Sequence, residues 1–360
     1  MITDSTAFLK KLLVIFLVVS GLYLAEEFLI PLSLGALLAT FFLPFCKWME
    51  EKKIPRAIAV FTCLVLLLSV FYSLVALIGW QVSKLTGDLS FLKQKAIDAF
   101  DATQLFIFDH FGISAKAQSQ LLKDQQSSFT GYLEKFANSM AAVFTGFIIT
   151  MVYFILLLYY RNHIKKFMLK LVPASKQVEA EHIIYSAANV STQYLQGLSK
   201  MILCLWIMYT IGFSIAGVEN ALFFAILCGL LEIVPFIGNL TGTTITVLVA
   251  AAHGASYAMM GGIILTYGIV QFIQGWVLEP IILGPNVKIN PLFTILALVV
   301  GEIIWGIPGI VLAIPITAIF KIVCDHIEPL KPYGFLIGAL GTAKTETHFI
   351  KKIKNWFKKI

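Results

Sequence analysis

Residues 220–252 read NALFFAILCGLLEIVPFIGNLTGTTITVLVAAA, and this segment is the most informative one for the fold. It is apolar towards both ends, and its middle carries one carboxylate, Glu232, followed by Pro235 and Gly238. As one straight helix it would be about 50 Å long, whereas the hydrocarbon core of a membrane is about 30 Å thick. We therefore expect this stretch to kink or to fold back on itself at the proline and glycine.

A second stretch repeats this plan at residues 291–320, which read PLFTILALVVGEIIWGIPGIVLAIPITAIF. Its carboxylate is Glu302, and its break falls at Gly306, Pro308 and Gly309. A straight helix would again be too long, at about 45 Å. Interrupted apolar segments at matching positions in two halves of a chain are typical of the binding site of a secondary transporter.

The composition of the whole chain is that of a membrane protein. Of its 360 residues, 59% are hydrophobic and 13% are charged, and the mean hydropathy is +0.87. The first apolar run does not match a signal peptide, because Lys10 and Lys11 interrupt its start and no small-residue cleavage site precedes Glu26. We predict an all-α, polytopic inner-membrane protein with about eight hydrophobic segments, at 7–25, 28–46, 57–80, 138–160, 201–218, 220–252, 256–278 and 291–320.

The distribution of Lys and Arg predicts the orientation, because positively charged loops stay in the cytoplasm. Twenty of the 27 lysines and arginines flank the first two segments, fill the 161–200 connection or follow residue 320. If these regions lie inside, both termini are cytoplasmic and residues 81–137 lie outside. The net charge of +7 then reflects this topology and contacts with anionic lipid, and no nucleic-acid-binding motif accompanies it.

This topology divides the chain into six predicted parts: N-terminal membrane helices (1–80), extracytoplasmic amphipathic helices with a turn at Phe111-Gly112 (81–137), a membrane helix (138–160), a cytoplasmic helical connection (161–200), a C-terminal transport core (201–320) and a basic amphipathic cytoplasmic tail (321–360). In the tail, residues 346–360 place apolar side chains on one helical face and five lysines largely elsewhere. Such a helix is expected to bind the lipid of the inner leaflet.

Motifs for catalysis or metal binding are lacking in the sequence. The five cysteines are scattered in or beside apolar segments without CxxC spacing, which is typical of small core residues. There is no HExxH, GxSxG, Walker loop or dinucleotide-binding glycine motif. We therefore predict no enzyme activity, no cofactor and no metal.

Three motifs resemble the autoinducer-2 exporter (AI-2E) family of membrane transporters: LEIVPFIGNLTG at 231–242, QFIQGWVLEPIILGPNVKINPL at 271–292 and WGIPGIVLAIP at 305–315. The resemblance covers nearly the whole chain and implies a multi-span transporter that is a homo-oligomer. Some relatives are assigned to export of other small molecules or to sodium/proton exchange. The chain departs from the family pattern at Gln274-Gly275-Trp276 and at Glu302, which bears on the transported species and not on the fold.

Two carboxylates at membrane depth are the strongest candidate site residues. An ionised side chain at the bilayer centre costs about 2.5–3.5 kcal/mol even on insertion scales, so Glu232 and Glu302 are expected to face protein, water or a partner. A functional interpretation makes them proton- or cation-coupling groups that change charge as access alternates. A structural interpretation makes them caps for broken backbone near Pro235 and Pro308. Glu279, beside Pro280, is expected to be exposed at the membrane interface.

The breaks supply further candidates, because a proline lacks a backbone donor and a glycine allows close approach. Unpaired backbone groups at Pro235, Gly238, Gly306, Pro308 and Gly309 could bind a solute or an ion. Amide and hydroxyl groups beside the first break could join them, and these are Asn239, Thr241, Gln271 and Gln274. Together they suit a small polyhydroxylated solute, although the same residue types also hold helices together without a ligand.

The sequence thus predicts a secondary transporter that exports a small polar solute, such as an autoinducer-2-like signalling molecule or a related metabolite, with proton or sodium as coupling ion. A sodium/proton exchanger and a non-transporting scaffold or assembly protein are the alternatives. Two topologies remain open for 220–252 and 291–320. Kinked spans place the 279–290 connection outside, whereas paired hairpins of opposite orientation place it inside, with their tips meeting near the midplane.

Overall fold

The computed structural model describes residues 2–87, 115–234, 237–284 and 288–339, and these are almost entirely helical. The principal helices are α1 (Ile2–Leu24), α2 (Glu26–Glu51), α3 (Arg56–Gly87), α4 (Ala115–Lys170), α5 (Gln177–Ile215), α6 (Ala221–Leu231), α7 (Ile237–Ala252), α8 (Tyr257–Ile273), α9 (Pro291–His326) and α10 (Lys331–Ile337). Short 3-10 turns at Ala174–Lys176 and Glu328–Leu330 precede α5 and α10, and α8 continues as π-helical turns through Gln274–Leu283. The described residues contain no β-strand, which confirms the all-α prediction.

Six of the described helical segments are long and apolar enough to cross a membrane by length and composition: Glu26–Glu51, Arg56–Leu77, Val143–Lys170, Ala174–Ile215, Tyr257–Leu283 and Pro291–His326. Many large apolar side chains on these helices, such as Ile207, Leu265 and Phe272, point outwards. An outward apolar face is what lipid requires. The chain is therefore a multi-pass membrane protein.

The N-terminal part differs in one respect from the predicted segments 7–25 and 28–46. Helices α1 and α2 are separated by Ala25 alone, and i→i−4 hydrogen bonds run across the junction, from the Ala25 amide to Gly21 and from the Leu29 amide to Ala25. Because a chain cannot reverse within one residue while keeping these bonds, α1 and α2 are joined by a bend. Helix α2 then packs along α4 and α3 through a core that includes Phe42, Cys46, Cys63 and Phe154.

The predicted boundary between residues 200 and 201 falls inside α5, which runs unbroken from the 3-10 turn to Ile215. One face of α5 buries Leu205, Tyr209 and Phe213 against α6, and Gly212 lets Thr266 of α8 approach closely. Because α5 packs against α2, α6, α8 and α9, it is the central helix of the described chain.

The first predicted break is a helical hairpin, formed by α6 and α7 and named here the first hairpin. A side chain on Gly238 would collide with the backbone of Leu231, and one on Gly242 would meet Cys228 at 2.8 Å. The contact partners step backwards along α6 as the chain advances along α7, so the two helices are antiparallel. Pro235 and Phe236, at the tip, lie outside the described residues.

The second predicted break is also a hairpin, formed by the two halves of α9 and named here the second hairpin. Gly306 has φ 59° and ψ −139°, far from helical values. A Cβ on Gly301 would lie 2.5 Å from the carbonyl oxygen of Gly309. In a straight helix, residues eight apart would be separated by about 12 Å. The chain therefore reverses at Gly306. Pro291–His326 has the length of a membrane span when it is counted as one helix, but its two halves run in opposite directions.

Backbone pairing after the second hairpin bears on the choice between the two topologies. Ile289 forms an isolated bridge with Gly338, the Asn290 amide donates to Ile337, and the Ala339 amide donates to Lys288. If α9 were a single kinked span, residues 288–290 and 337–339 would lie on opposite sides of the membrane. Their direct pairing supports the hairpin scheme.

Several sequence predictions lie outside the described residues. The predicted turn at Phe111-Gly112 falls in the undescribed range 88–114, and the amphipathic tail at 346–360 falls in the range 340–360. Helix α4 begins at Ala115 and continues through the predicted 138–160 segment to Lys170. The six proposed parts of the chain therefore stay a prediction.

Candidate functional site

The first hairpin carries Glu232 into the protein interior, where it meets the π-helical turns after α8. Glu232 is 3% exposed, Asn239 is fully buried and Gln274 is 2% exposed. The Gln274 amide group donates to the Glu232 carboxylate, and Asn239 Nδ2 donates to Gln274 Oε1 at 3.0 Å. Buried polar side chains thus connect the hairpin to the π-helical turns after α8.

Gln271 and Glu279 extend this cluster on either side of Gln274. Asn239 Nδ2 also lies 3.4 Å from Gln271 Oε1, and Gln271 Nε2 lies 3.5 Å from the Tyr267 hydroxyl. Gln274 Nε2 is 3.5 Å from Glu279 Oε1. We call Glu232, Asn239, Gln271, Gln274 and Glu279 the Glu232 cluster. It joins two carboxylates through one amide, which can hydrogen-bond to both.

The local backbone explains why Gln274 can reach both carboxylates. The π-helical turns begin at Gln274 and include Pro280, which has no N–H for an ordinary helical bond. A π-helical insertion adds a residue to the turn and changes the direction of the following side chains, and such insertions are frequent at functional sites. Gln274 and Glu279, which are five residues apart, therefore lie on the same side of the helix, and Gln274 Nε2 approaches Glu279 Oε1.

Two polar atoms of the cluster have no hydrogen-bond partner among the described residues. They are Glu232 Oε2 and Asn239 Oδ1, both buried. A buried acceptor without a donor costs about 1–3 kcal/mol, and more when it is charged. The site therefore has the capacity to accept hydrogen bonds or to hold a proton or a small cation.

A cavity of about 370 Å³ opens beside Glu232 and Glu279, and we call it the central cavity. Its other walls come from α5, from Lys288 and from the base of the second hairpin, and they include Tyr194, Met201, Thr294, Leu298 and Ile314. The lining is mostly apolar, with a few converging polar groups. This is the character of small-molecule binding sites, and the volume lies within the usual range.

The other predicted residues of the first break are placed as follows. Gly238 is buried where α7 touches the end of α6, so its lack of a side chain serves the close packing of the tip. Thr241 is exposed and lies outside the Glu232 cluster. Pro235 lies outside the described residues. Of the predicted polar set, the structure brings together Glu232, Asn239, Gln271 and Gln274.

The predicted residues of the second break are not part of this cluster. Gly306, Pro308 and Gly309 form the tip of the second hairpin, whereas the central cavity is lined by the base of that hairpin. Trp305 at this tip donates its indole N–H to the Leu22 carbonyl of α1 at 2.9 Å. The second tip therefore contacts α1. Because the first tip includes Pro235 and Phe236, which lie outside the described residues, the expectation that the two tips meet stays a prediction.

Glu302 is exposed on the surface of the chain, near the second tip and apart from the Glu232 cluster. The predicted symmetry of the two carboxylates is therefore absent among the described residues, since one is buried by amides and the other is not. Any role of Glu302 stays a prediction.

Two charged residues of the cavity, Glu279 and Lys288, are not among the predicted site residues. Glu279 was expected to be exposed at the interface, but it is partly buried and lies within reach of Gln274. Lys288 was not predicted as a site residue, yet it lines the cavity with both carboxylates. Its positive φ of 49° is the structural sign that sets it apart, and no pattern in the sequence indicates it. The described residues contain no group of three or more His, Cys, Asp or Glu that could hold a metal ion.

Comparison with known proteins agrees with this architecture. The profile of the AI-2E family of transporters matches residues 12–328. YueF of Bacillus subtilis is 26% identical over 86% of this chain and 89% of its own length, and YrrI of the same organism is 24% identical over 82% and 86%. Both names assign these proteins provisionally to transport. The AI-2 transport protein TqsA of Escherichia coli is 20% identical over 86% of this chain and 89% of its own length. Because the profile covers most of the sequence, this chain belongs to the AI-2E transporter family.

Proposed function

We propose that this protein is a secondary transporter that exports a small, polar, hydrogen-bonding solute through the central cavity. The observation that carries the proposal is the buried Glu232 carboxylate, held by Gln274 at the tip of a hairpin and facing a cavity of about 370 Å³. The name of TqsA supports autoinducer-2 or a related metabolite as the first solute to test.

The chemistry of the cluster suits coupling to an ion gradient. A buried carboxylate is costly when charged and unpaired, so Glu232 gains from binding a proton or a cation. Glu279 provides a second carboxylate on the same cavity. When the hairpin tip moves relative to α8, the water exposure of Glu232 changes and the bound ion is released. Solute and ion movement are thereby linked at one site.

The test uses purified protein in sealed proteoliposomes loaded with labelled autoinducer-2. Proton and sodium gradients are imposed separately, and efflux is compared with that from liposomes without protein. Gradient-driven efflux that needs the protein is the expected result. Efflux equal to that of empty liposomes under every gradient would exclude autoinducer-2 export and would favour the scaffold or assembly alternative.

The pair Glu232 and Glu279 also favours a second candidate, sodium/proton exchange, because two carboxylates on one cavity can exchange a cation for a proton. A pH-sensitive dye inside the same liposomes separates the two functions. Sodium-driven pH change without any solute would identify an exchanger, whereas pH change that requires the solute would identify a coupled exporter.

A further inference from the structure

A second pocket of about 440 Å³ adjoins the central cavity, and we call it the vestibule. It is lined by Ser186, Asn189, Val190 and Gln193 of α5, by Lys288, and by Ala318, Lys321, Ile322, Asp325 and His326 of α9. Asn189, Lys288 and Asp325 are exposed, so the vestibule reaches the surface of the protein.

The vestibule and the central cavity are two sections of one groove. On α5, the vestibule residue Val190 is followed one, two and three turns later by the cavity residues Tyr194, Leu198 and Met201. Residues at such spacings share one face of a helix, so both pockets follow the same stripe of α5. On the opposite wall, Ile314 of the cavity is followed one turn later by Ala318 of the vestibule.

Lys288 is the residue that the linings of the vestibule and the central cavity share within the described part of the chain. Its backbone is held in place by its neighbours, because its carbonyl accepts from Ala339 at 3.0 Å and Ile289 bridges to Gly338. The backbone also has φ 49°, a left-handed conformation that costs energy for a residue with a side chain. These backbone contacts fix the position of the Lys288 Cα atom, whereas the flexible four-carbon side chain can change its conformation without moving the backbone.

We propose that the vestibule, Lys288 and the central cavity form one access route, in which the Lys288 side chain is the gate. This inference rests on the proposed transport through the central cavity. With the stem across the groove, the ammonium group separates the two pockets and lies on the same cavity as Glu232 and Glu279. With the stem turned away, the pockets join and a solute can pass.

The lining of the vestibule indicates which solutes it admits. Its charged or titratable groups are Lys288, Lys321, His326 and Asp325, and Asp325 is paired with Lys321 at 2.5 Å. Hydroxyl and amide groups are added by Ser186, Asn189 and Gln193. The pairing of Asp325 leaves the Lys288 charge uncompensated within this lining, which disfavours cationic solutes. The route is therefore suited to neutral or anionic solutes that form hydrogen bonds.

The test measures access to the cavity and needs no transported solute. One cysteine is introduced in the vestibule, Asn189→Cys, or in the cavity, Leu298→Cys, and a negatively charged, water-soluble methanethiosulfonate reagent is added to the purified protein. With this charge, faster labelling after removal of Lys288 cannot come from lost electrostatic repulsion. Unmodified protein reports the labelling of the native cysteines, four of which are buried. The extent of labelling over time is read by mass spectrometry.

With Lys288 present, we expect Leu298→Cys to react at least about tenfold more slowly than Asn189→Cys, since a minor open state is about 0.1–10% populated. Adding Lys288→Asn, which introduces a short residue type that tolerates positive φ, should remove most of this difference. Lys288→Arg, which keeps length and charge, should preserve it. Thr294→Cys replaces Leu298→Cys if the latter does not fold.

The proposed gate would be rejected if the cavity cysteine were labelled at the same rate in three backgrounds, namely unmodified Lys288, Lys288→Asn and Lys288→Arg. An unreactive Asn189→Cys would overturn it as well, because the vestibule would then be closed to water. The labelling test could support the gate while the efflux test with reconstituted protein shows no transport of autoinducer-2. That combination would refute the proposed solute and not the gate. The two failures are therefore distinguishable.

Discussion

The Gln274 side chain donates a hydrogen bond to the Glu232 carboxylate, although the two residues are 42 positions apart. This contact joins the tip of the first hairpin to the π-helical end of α8 and leaves one Glu232 oxygen without a described partner. A single amide therefore holds a buried carboxylate beside an open cavity. Both the contact and the two hairpins around it have consequences that can be measured.

Glu232→Gln should abolish the acceleration of efflux by an ion gradient, because glutamine keeps the shape of the side chain but cannot change its charge. Downhill movement of solute should continue. Glu219→Gln, at the exposed base of the same hairpin, is the matched control and should behave like the unmodified protein. Glu302→Gln is measured in parallel. If it alone removes the gradient dependence, the coupling group is the exposed carboxylate and the assignment to Glu232 fails.

Asn239→Ala should lower the free energy of unfolding by about 1–3 kcal/mol, because it removes the donor to the Gln274 oxygen and leaves a cavity, and these losses exceed the gain from removing the unpaired Asn239 Oδ1. Thr244→Ala is a suitable control, since Thr244 is exposed on the same helix and its hydroxyl donates to the preceding turn. Thermal unfolding of both variants in detergent compares them. Equal midpoints would show that the amide cluster does not stabilise the hairpin.

Gly238→Ala and Gly309→Ala should each destabilise the protein by about 1–3 kcal/mol or more, the usual cost of overpacking. A Cβ at Gly238 would overlap the Leu231 carbonyl oxygen, and one at Gly309 would overlap that of Gly301. Gly268→Ala is the control, because a Cβ there meets nothing within 4 Å and alanine favours the helix. The unfolding temperature should fall for the first two variants and stay or rise for the third. A stable Gly309→Ala variant would argue against the second reversal.

Lys288→Cys and Ala339→Cys should be labelled from the same side of the membrane by an impermeant thiol reagent, because the backbones of these two residues are hydrogen-bonded. Tyr257→Cys, at the highly exposed start of α8, should be labelled from the other side. With the predicted cytoplasmic tail, intact cells protect the first two positions until the membrane is opened. Labelling of Lys288→Cys and Ala339→Cys from opposite sides would reject the second hairpin.

Arg161→Met should destabilise the packing of α4 on α2 by about 1–3 kcal/mol, because it leaves the half-buried Glu50 carboxylate without its closest cation. Arg56, the other partner of Glu50, is more exposed and compensates only in part. Lys165→Met is the control, since its pair with Glu181 is largely exposed and such pairs contribute about 0.2–1 kcal/mol. If Arg161→Met and Lys165→Met lost a similar amount of stability, the more buried ion pair would not contribute more than the exposed one.

The fold class, the family resemblance and the positions of the two breaks could all be predicted from the sequence. Apolar runs longer than a membrane is thick, each broken by proline and glycine, leave few alternatives to a kink or a hairpin. Glu232, Asn239, Gln271 and Gln274 could be predicted as a polar set for a related reason, because polar groups at membrane depth need partners.

Which of those groups meet could not be predicted from the sequence and is known from the three-dimensional structure. It buries Glu232, which accepts from Gln274, and leaves Glu302 exposed, although the two carboxylates occupy similar places beside their breaks. Beside Glu302, it is Trp305 that contacts α1. The structure also brings Glu279 and Lys288 to the cavity through π-helical turns and a left-handed backbone. Helical periodicity predicts the face of a regular helix, but contacts between distant segments depend on how irregular turns redirect the chain.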